Sequence, residues 1–177
     1  MFVRFVDDCL TRFHGRMPRF RLSTNIDFAP LHVNRWLGVA LDYHAQELRA
    51  RILDYTDKLP YSIPRRVLSA EFIESLTLAG GIKIDGISSA HLPSLRSLHL
   101  SRSHIDNRMF QRLLTGCPLL EDLSVICLSP LSVIEVSNLD YLKRVAVVVS
   151  IRAPALAKFH ISGIVHLKRD YSSLVVN

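Results

Sequence analysis

Residues 116–125, Gly-Cys-Pro-Leu-Leu-Glu-Asp-Leu-Ser-Val, decide the fold of this chain. Three apolar residues in the stretch, Leu120, Leu123 and Val125, follow the spacing apolar-x-x-apolar-x-apolar. The same spacing recurs elsewhere at Ile73-Leu76-Leu78, Leu95-Leu98-Leu100, Leu142-Val145-Val147 and Leu156-Phe159-Ile161, and more loosely at Met17-Phe20-Leu22 and Ala45-Leu48-Ala50. The last residues of successive triplets are 28, 28, 22, 25, 22 and 14 positions apart. The chain is therefore built from a repeated unit of unequal length.

Most of these steps lie close to the period of about 20–29 residues that is typical of leucine-rich repeats. Such a unit cannot close a core alone, so it must stack on its neighbours. The sequence therefore predicts an α/β fold, a leucine-rich-repeat solenoid with a parallel β-sheet on its concave face and short helices and loops on its convex face. A regular repeat has Asn or Cys three positions after the triplet, where this chain has Gly81, Ser103 and Leu128. The repeats are therefore expected to be irregular.

The order of predicted elements indicates one leucine-rich-repeat domain over residues 1–177, with helical N-terminal repeats in 1–44 and strand-rich repeats in 45–177. Apolar stripes at helical spacing predict one helix in residues 2–13 and a second after Pro30. A third, short helix is predicted between Asp106, a favourable N-cap, and Gly116, which is placed to end it at C′. After an extended run from Pro18 to Leu22, strands are predicted at residues 47–52, 74–78, 97–100, 122–126, 144–149 and 158–162. We expect neither an F-box nor a separate C-terminal domain.

The composition narrows the class of protein. Hydrophobic residues make up 49% of the chain and charged residues 21%, which is typical of a globular domain and not of a disordered one. No apolar run approaches the roughly 20 residues of a membrane helix, so we expect no membrane association. Three cysteines form no paired framework, which favours reduced thiols in the cytoplasm or nucleus. The net charge of +6 permits an acidic partner. Nucleic acid is not favoured as a partner, because its binding needs the positive charge concentrated on one face and here the excess is spread over the chain.

Local motifs resemble a known family. The octet at 116–123, Gly-Cys-Pro-Leu-Leu-Glu-Asp-Leu, resembles the G-C-P-x-L-E-x-L signature of plant F-box proteins with leucine-rich repeats. Four further segments are similar to parts of that family, at residues 33–36, 47–48, 91–100 and 153–156. The resemblance implies the substrate-recognition repeats of a cullin-based ubiquitin ligase subunit. The F-box that grips the ligase adaptor has no counterpart in these residues, so the adaptor contact is not carried over to them.

The residues that alternate with the buried triplet positions are predicted to face a partner across the concave sheet. The candidate partner-binding residues are Arg19, Arg21, Arg49, Arg51, Thr77, His99, Ser124 and His160. Register places Arg21 beside Arg49, and like charges on neighbouring strands repel each other. An acidic protein, or alternatively a polyanion such as an inositol phosphate, would relieve that repulsion. The other interpretation is a solvated face with Glu47 as counter-ion. The middle of the face, from Ser75 to Ser124, is small and polar, which is compatible either with a bound peptide or with a cover formed by residues 59–64.

Catalytic chemistry is not predicted. His91, His99 and His104 lack the spacing of a zinc site, and no residue pattern nominates a nucleophile with its base. We therefore expect no metal, no cofactor and no enzymatic activity. A third alternative is a decayed sequence that folds poorly, and failure of soluble expression or the absence of cooperative unfolding would favour it.

Overall fold

The computed structural model describes residues 2–25, 30–53, 60–86, 90–127, 133–136, 139–149 and 158–161. Its helices are α1 (Phe2–Thr11), α2 (Pro30–Asp42) and α3 (Asn107–Thr115), with a 3₁₀ helix at Arg65–Ser69. Its strands are β1 (Arg19–Asn25), β2 (Glu47–Leu53), β3 (Tyr61–Ser62), β4 (Ser75–Gly80), β5 (Ile82–Lys83), β6 (Ser97–Ser101), β7 (Asp122–Cys127), β8 (Val133–Val136), β9 (Arg144–Val149) and β10 (Lys158–Ile161).

The main sheet has six strands in the order β1-β2-β4-β6-β7-β9, all parallel. Each neighbour comes from the next repeat, and helices or loops return the chain between strands. This arrangement confirms the predicted α/β leucine-rich-repeat fold. The first six predicted strands are all present: the bounds of 144–149 match the prediction, and those of the other five differ from it by at most three residues.

The second and third residues of the apolar triplets form much of the core of the molecule. The second triplet position forms a continuous row in register, in which Phe20, Leu48, Leu76, Leu98, Leu123 and Val145 are successive partners. The four leucines of this row are buried. Burial of one such side chain is worth about 1.5–3 kcal/mol. The stacked rows thus supply the energy that an isolated repeat lacks.

Helices cover the buried side of the sheet, and α1 joins them through α2. The carboxylate of Asp7 accepts a hydrogen bond from Trp36 Nε1 at 2.9 Å and pairs with Arg35 at 3.0 Å. Trp36 is fully buried, as its place in the helical stripe predicted. Asp106 caps α3 by accepting from the Met109 amide at 2.7 Å.

Gly116 ends α3, but the reason differs from the expected one. A C′ glycine is favoured because it adopts a left-handed backbone. Gly116 instead has φ −79°, which any residue can adopt. A Cβ at this position would lie 2.3 Å from the Ala90 carbonyl oxygen, and that carbonyl cannot move freely. Close approach of two backbone segments therefore requires the glycine.

The turns after the strands use substitutes for the missing asparagine. The Ser103 hydroxyl is buried and donates to the Leu78 carbonyl of the preceding repeat at 3.2 Å. At the corresponding position Gly81 donates its own amide to the Ile52 carbonyl at 2.9 Å. Residue 128 lies outside the described residues. Each described turn thus satisfies a buried carbonyl by its own route, which confirms that the repeats are irregular.

The last predicted strand does not join the main sheet. Lys158–Ile161 pairs in parallel with Val133–Val136 in a separate two-stranded sheet, with Phe159 opposite Ile134. The prediction of a seventh strand beside Arg144–Val149 is therefore wrong. The short step of 14 residues before this triplet already departed from the repeat period. A second small sheet, β3 with β5, was not predicted.

Candidate interaction face of the sheet

We use the term sheet face for the side of the six-stranded sheet that is opposite the core. Three rows of side chains cross it in register. The first row is Arg19, Glu47, Ser75, Ser97, Asp122 and Arg144; the second is Arg21, Arg49, Thr77, His99, Ser124 and Ala146; the third includes Ser23, Arg51, Ala79, Ser101 and Ile126. All of these residues are exposed or half-buried. The alternation in β2, whose residues 48, 50 and 52 are buried, sets this pattern.

An arginine cluster occupies the β1–β2 end of the sheet face. It consists of Arg19, Arg21, Arg49 and Arg51 around the single carboxylate of Glu47. That carboxylate pairs with Arg49 at 2.6 Å, with Arg21 at 3.2 Å and with Arg19 at 3.3 Å. Glu47 therefore acts as the counter-ion that the solvated-face interpretation named. Four guanidinium groups against one carboxylate still leave an excess of three positive charges in this set.

The arginines remain accessible although they are paired. The side chains of Arg19, Arg21 and Arg49 are 72%, 60% and 49% exposed, whereas that of Glu47 is only 17% exposed. The counter-ion thus lies beneath the guanidinium groups. The charge that solvent or a partner meets first is positive.

The middle of the sheet face carries mostly small side chains and almost no charge. Thr77 and Ser124 flank His99 directly across the strands. Burial, and secondarily the positive charge of Arg49, lower the pKa of His99. The imidazole is consequently neutral at pH 7 and adds no charge to this region. The described part of the 59–64 connection, residues 60–64, pairs with β5 and buries Tyr61 and Ile63.

The β7–β9 end carries a closed ion pair. The Arg144 guanidinium donates through two nitrogens to Asp122, through Nη2 to Oδ2 at 2.6 Å and through Nε to Oδ1. These hydrogen bonds and the charge of Asp122 raise the pKa of Arg144. Beside the pair, Ile126 and Ala146 are half-buried and apolar. This end of the sheet face therefore presents no net charge in its described positions.

A second ionic row lies just before the strands. Glu121 accepts from Arg96 at 2.5 Å and from Lys143 at 2.6 Å, so it bridges three repeats. These two hydrogen bonds hold the pKa of Glu121 below its ordinary value. Neither this row nor the Asp122–Arg144 pair was predicted. The sequence signal for both was the presence of opposite charges at positions that the triplet register brings side by side.

The structure brings seven of the eight predicted partner-binding residues together on the sheet face. They are Arg19, Arg21, Arg49, Arg51, Thr77, His99 and Ser124. His160 is the exception, because its strand pairs with Val133–Val136 and not with β9. The placement of His160 on the same sheet was therefore wrong. Whether any of these residues binds a partner stays a prediction.

Other parts of the described chain offer weaker sites. Among these residues no group of three or more His, Cys, Asp or Glu could hold a metal ion. Cys117 is buried, and burial raises the pKa of its thiol to about 12, so no reactive thiolate forms near neutral pH. A groove of about 490 Å³ before β1 and β2 is lined by charges of both signs, Arg16 and Asp42, and so favours no one ligand charge.

Comparison with known proteins gives a consistent result. A family model described as "FBD-associated F-box protein At5g56370, LRR repeats" matches residues 33–170. The chain is 30% identical over 159 residues to FBD-associated F-box protein At3g52670 of Arabidopsis thaliana, covering 89% of the chain and 33% of that relative. It is 32% identical over 134 residues to F-box/FBD/LRR-repeat protein At4g00160 of the same plant, covering 72% of the chain and 29% of the relative.

A third relative, F-box protein At1g56610 of Arabidopsis thaliana, is 33% identical over 132 residues, with 71% of the chain and 24% of the relative covered. The chain thus spans about a quarter to a third of the length of these relatives. No solved structure matches it with statistical significance. Within the described residues, no helix has both the length and the apolar character needed to cross a membrane. The resemblance drawn from the repeat motifs is confirmed.

Proposed function

Because the chain belongs to the FBD-associated F-box protein family and matches its leucine-rich repeats, we propose that it is a non-catalytic protein-interaction module. In this proposal the sheet face recognises an acidic protein target for an F-box-type ubiquitin ligase of the cytoplasm or nucleus. The observation that supports it is the arginine cluster, where Arg19, Arg21 and Arg49 share the Glu47 carboxylate and Arg51 on the same strand as Arg49 adds a fourth positive charge. An incoming carboxylate would gain charge-assisted hydrogen bonds and relieve repulsion between Arg21 and Arg49.

The arginines act as donors that are already positioned. Glu47 holds three of them by their guanidinium nitrogens, which reduces the side-chain entropy that binding must remove. Arg21 and Arg49 lie on neighbouring strands about 4.8 Å apart, a separation that one carboxylate or phosphate group can bridge. Arginine suits this task because its planar fork matches both groups.

The test measures binding of a fluorescein-labelled acidic octapeptide, Asp-Asp-Gly-Ser-Gly-Leu-Ser-Gly, by fluorescence anisotropy in low salt. Changing Arg21, Arg49 and Arg51 together to Gln should weaken binding at least tenfold. A control variant changes three exposed arginines outside the sheet, Arg4, Arg12 and Arg108, to Gln and so matches the change in net charge. Equal losses in both variants would mean that only the overall charge of the chain matters, and the sheet-face proposal would fail.

A second candidate is a sensor that binds a polyanion such as an inositol phosphate at the arginine cluster. The same concentration of guanidinium groups favours it, since a phosphorylated ring would contact several at once. A ligand present at 100 times its dissociation constant adds about 2.7 kcal/mol to the stability of the folded chain. A rise in Tm with inositol hexakisphosphate that is absent in the Arg21, Arg49 and Arg51 variant, without acidic peptide binding, would favour this candidate over the first.

A further inference from the structure

The charge on the sheet face is confined to one end in the rows that a partner would cross. At one end of the first row Asp122 pairs with Arg144, whereas at the other end the Glu47 carboxylate is shared by Arg19, Arg21 and Arg49. In the second and third rows, Arg21, Arg49 and Arg51 have no acidic residue at the in-register positions of their own rows. The excess positive charge therefore lies over β1 and β2, in the second and third rows.

The same two rows become apolar at the opposite end. Ile126 lies in the third row on β7, and Ala146 lies in the second row on β9. Their in-register neighbours on β6 and β7 are Ser101 and Ser124. A hydrophobic side chain of a partner could cover Ile126 and Ala146 without burying a charge.

Small side chains connect the two ends. Between the arginines and Ile126, the second and third rows hold Thr77, Ala79, Ser101 and the neutral, half-buried His99. Such a floor leaves room for a polypeptide to lie across the strands, and its hydroxyl groups can accept or donate hydrogen bonds to a peptide backbone.

The spacing defines what fits. From Arg51 on β2 to Ile126 on β7, which lie in the same third row, there are three strand intervals, or about 14 Å at about 4.8 Å each. An extended chain advances about 3.4 Å per residue, so four residues span this distance. Residues four apart in an extended chain also point to the same side. One segment can thus direct an acidic residue at the arginines and an apolar residue at Ile126.

We infer that the sheet face binds an extended segment of a target protein in which acidic residues are separated by four positions from an apolar residue. This inference rests on the proposed function and adds to it the composition, spacing and polarity of the recognised segment. The acidic end lies over the arginine cluster, and the apolar side chain packs on Ile126 and Ala146.

The test uses the full 177-residue chain and a set of labelled octapeptides. The reference probe is Asp-Asp-Gly-Ser-Gly-Leu-Ser-Gly, together with its reversed sequence, since either chain direction satisfies the spacing. In a second probe the leucine is replaced by serine, and in a third it is moved directly after the acidic pair. We expect the reference probe, in at least one direction, to bind about tenfold more tightly than the other two.

Two protein variants test where on the sheet face the leucine of the probe binds. Ile126→Ser should remove the tenfold preference for the reference probe over the serine probe. Leu31→Ser changes an apolar side chain that is 74% exposed on α2, away from the sheet face, and should keep the full preference. Circular dichroism confirms that both variants are folded, and the spacing series on the unmodified chain is independent of either substitution.

The outcomes separate the two levels of the proposal. If all three probes bind the unmodified chain equally, and the Arg21, Arg49 and Arg51 variant weakens them all, the spacing inference is overturned and the acidic-partner function stands. If no probe binds, or the arginine variant has no effect, the proposed function fails and the inference fails with it.

Discussion

Replacing Glu47 by glutamine separates the two effects of the arginine cluster, on stability and on binding. Glu47→Gln keeps the shape of the side chain and removes the charge that pairs with three arginines at 2.6, 3.2 and 3.3 Å. Exposed ion pairs are each worth about 0.2–1 kcal/mol, so we expect a loss of about 1–2 kcal/mol in the free energy of unfolding. For a chain of this size the Tm should fall by roughly 2–8 °C.

Thermal unfolding followed by circular dichroism at low salt measures this loss. The difference from the unmodified chain should shrink by half or more in 1 M salt, where the Debye length is about 3 Å. Glu71→Gln serves as control, because Glu71 is exposed and lies outside the arginine cluster. The same Glu47→Gln variant should bind the acidic octapeptide more tightly, because removing the carboxylate that competes for the guanidinium groups outweighs the loss of the positioning that it gives to three arginines.

A Glu47→Gln variant that is as stable as the unmodified chain at low salt would contradict the expected role of the ion pairs. So would a loss of the variant's affinity for the acidic peptide. The first result would mean that the ion pairs contribute nothing to the fold. The second would mean that Glu47 itself contacts the acidic partner or that the arginines need it for their position.

Four further expectations concern a core leucine, two glycines and the two described thiols. Leu98→Ala removes a buried member of the leucine row and should lower the free energy of unfolding by about 2–5 kcal/mol in urea titrations. Gly116→Ala should destabilise the chain by about 1–3 kcal/mol, because the new Cβ would meet a backbone carbonyl at 2.3 Å; Gly38→Ala inside α2, where the nearest atom is 3.8 Å away, should instead stabilise it by about 0.5–1 kcal/mol. Iodoacetamide at pH 8 should alkylate exposed Cys9 well before Cys117, whose pKa is about 12, and mass spectrometry of the peptides would contradict the burial argument if both reacted together.

The sheet face shows how far spacing alone can reach. Arg21 and Arg49 were predicted to be neighbours because their triplets have the same internal spacing, and the structure pairs them directly. The position of Glu47 as counter-ion followed from the same register. Its three simultaneous contacts did not, because side-chain rotamers on a half-exposed surface depend on all neighbours at once.

His160 shows where the same argument fails. The triplet at 156–161 has the right internal pattern, but only 14 residues separate its end from that of the previous triplet. A strand can pair with any free edge that its connection can reach, and Lys158–Ile161 pairs with Val133–Val136. The apolar pattern specifies that a strand forms; the choice of its partner is a long-range property.

The sequence by itself determined the repeating strand, its register and the side of the sheet on which each residue lies. These are local properties, since alternation of side chains and the period of the triplets follow from backbone geometry. Only the tertiary structure decided that Gly116 is required by the approach of Ala90, that Glu47 contacts three arginines at once, and that the last strand leaves the main sheet. Each of these depends on which distant segments meet, and that is settled by the packing of the whole array.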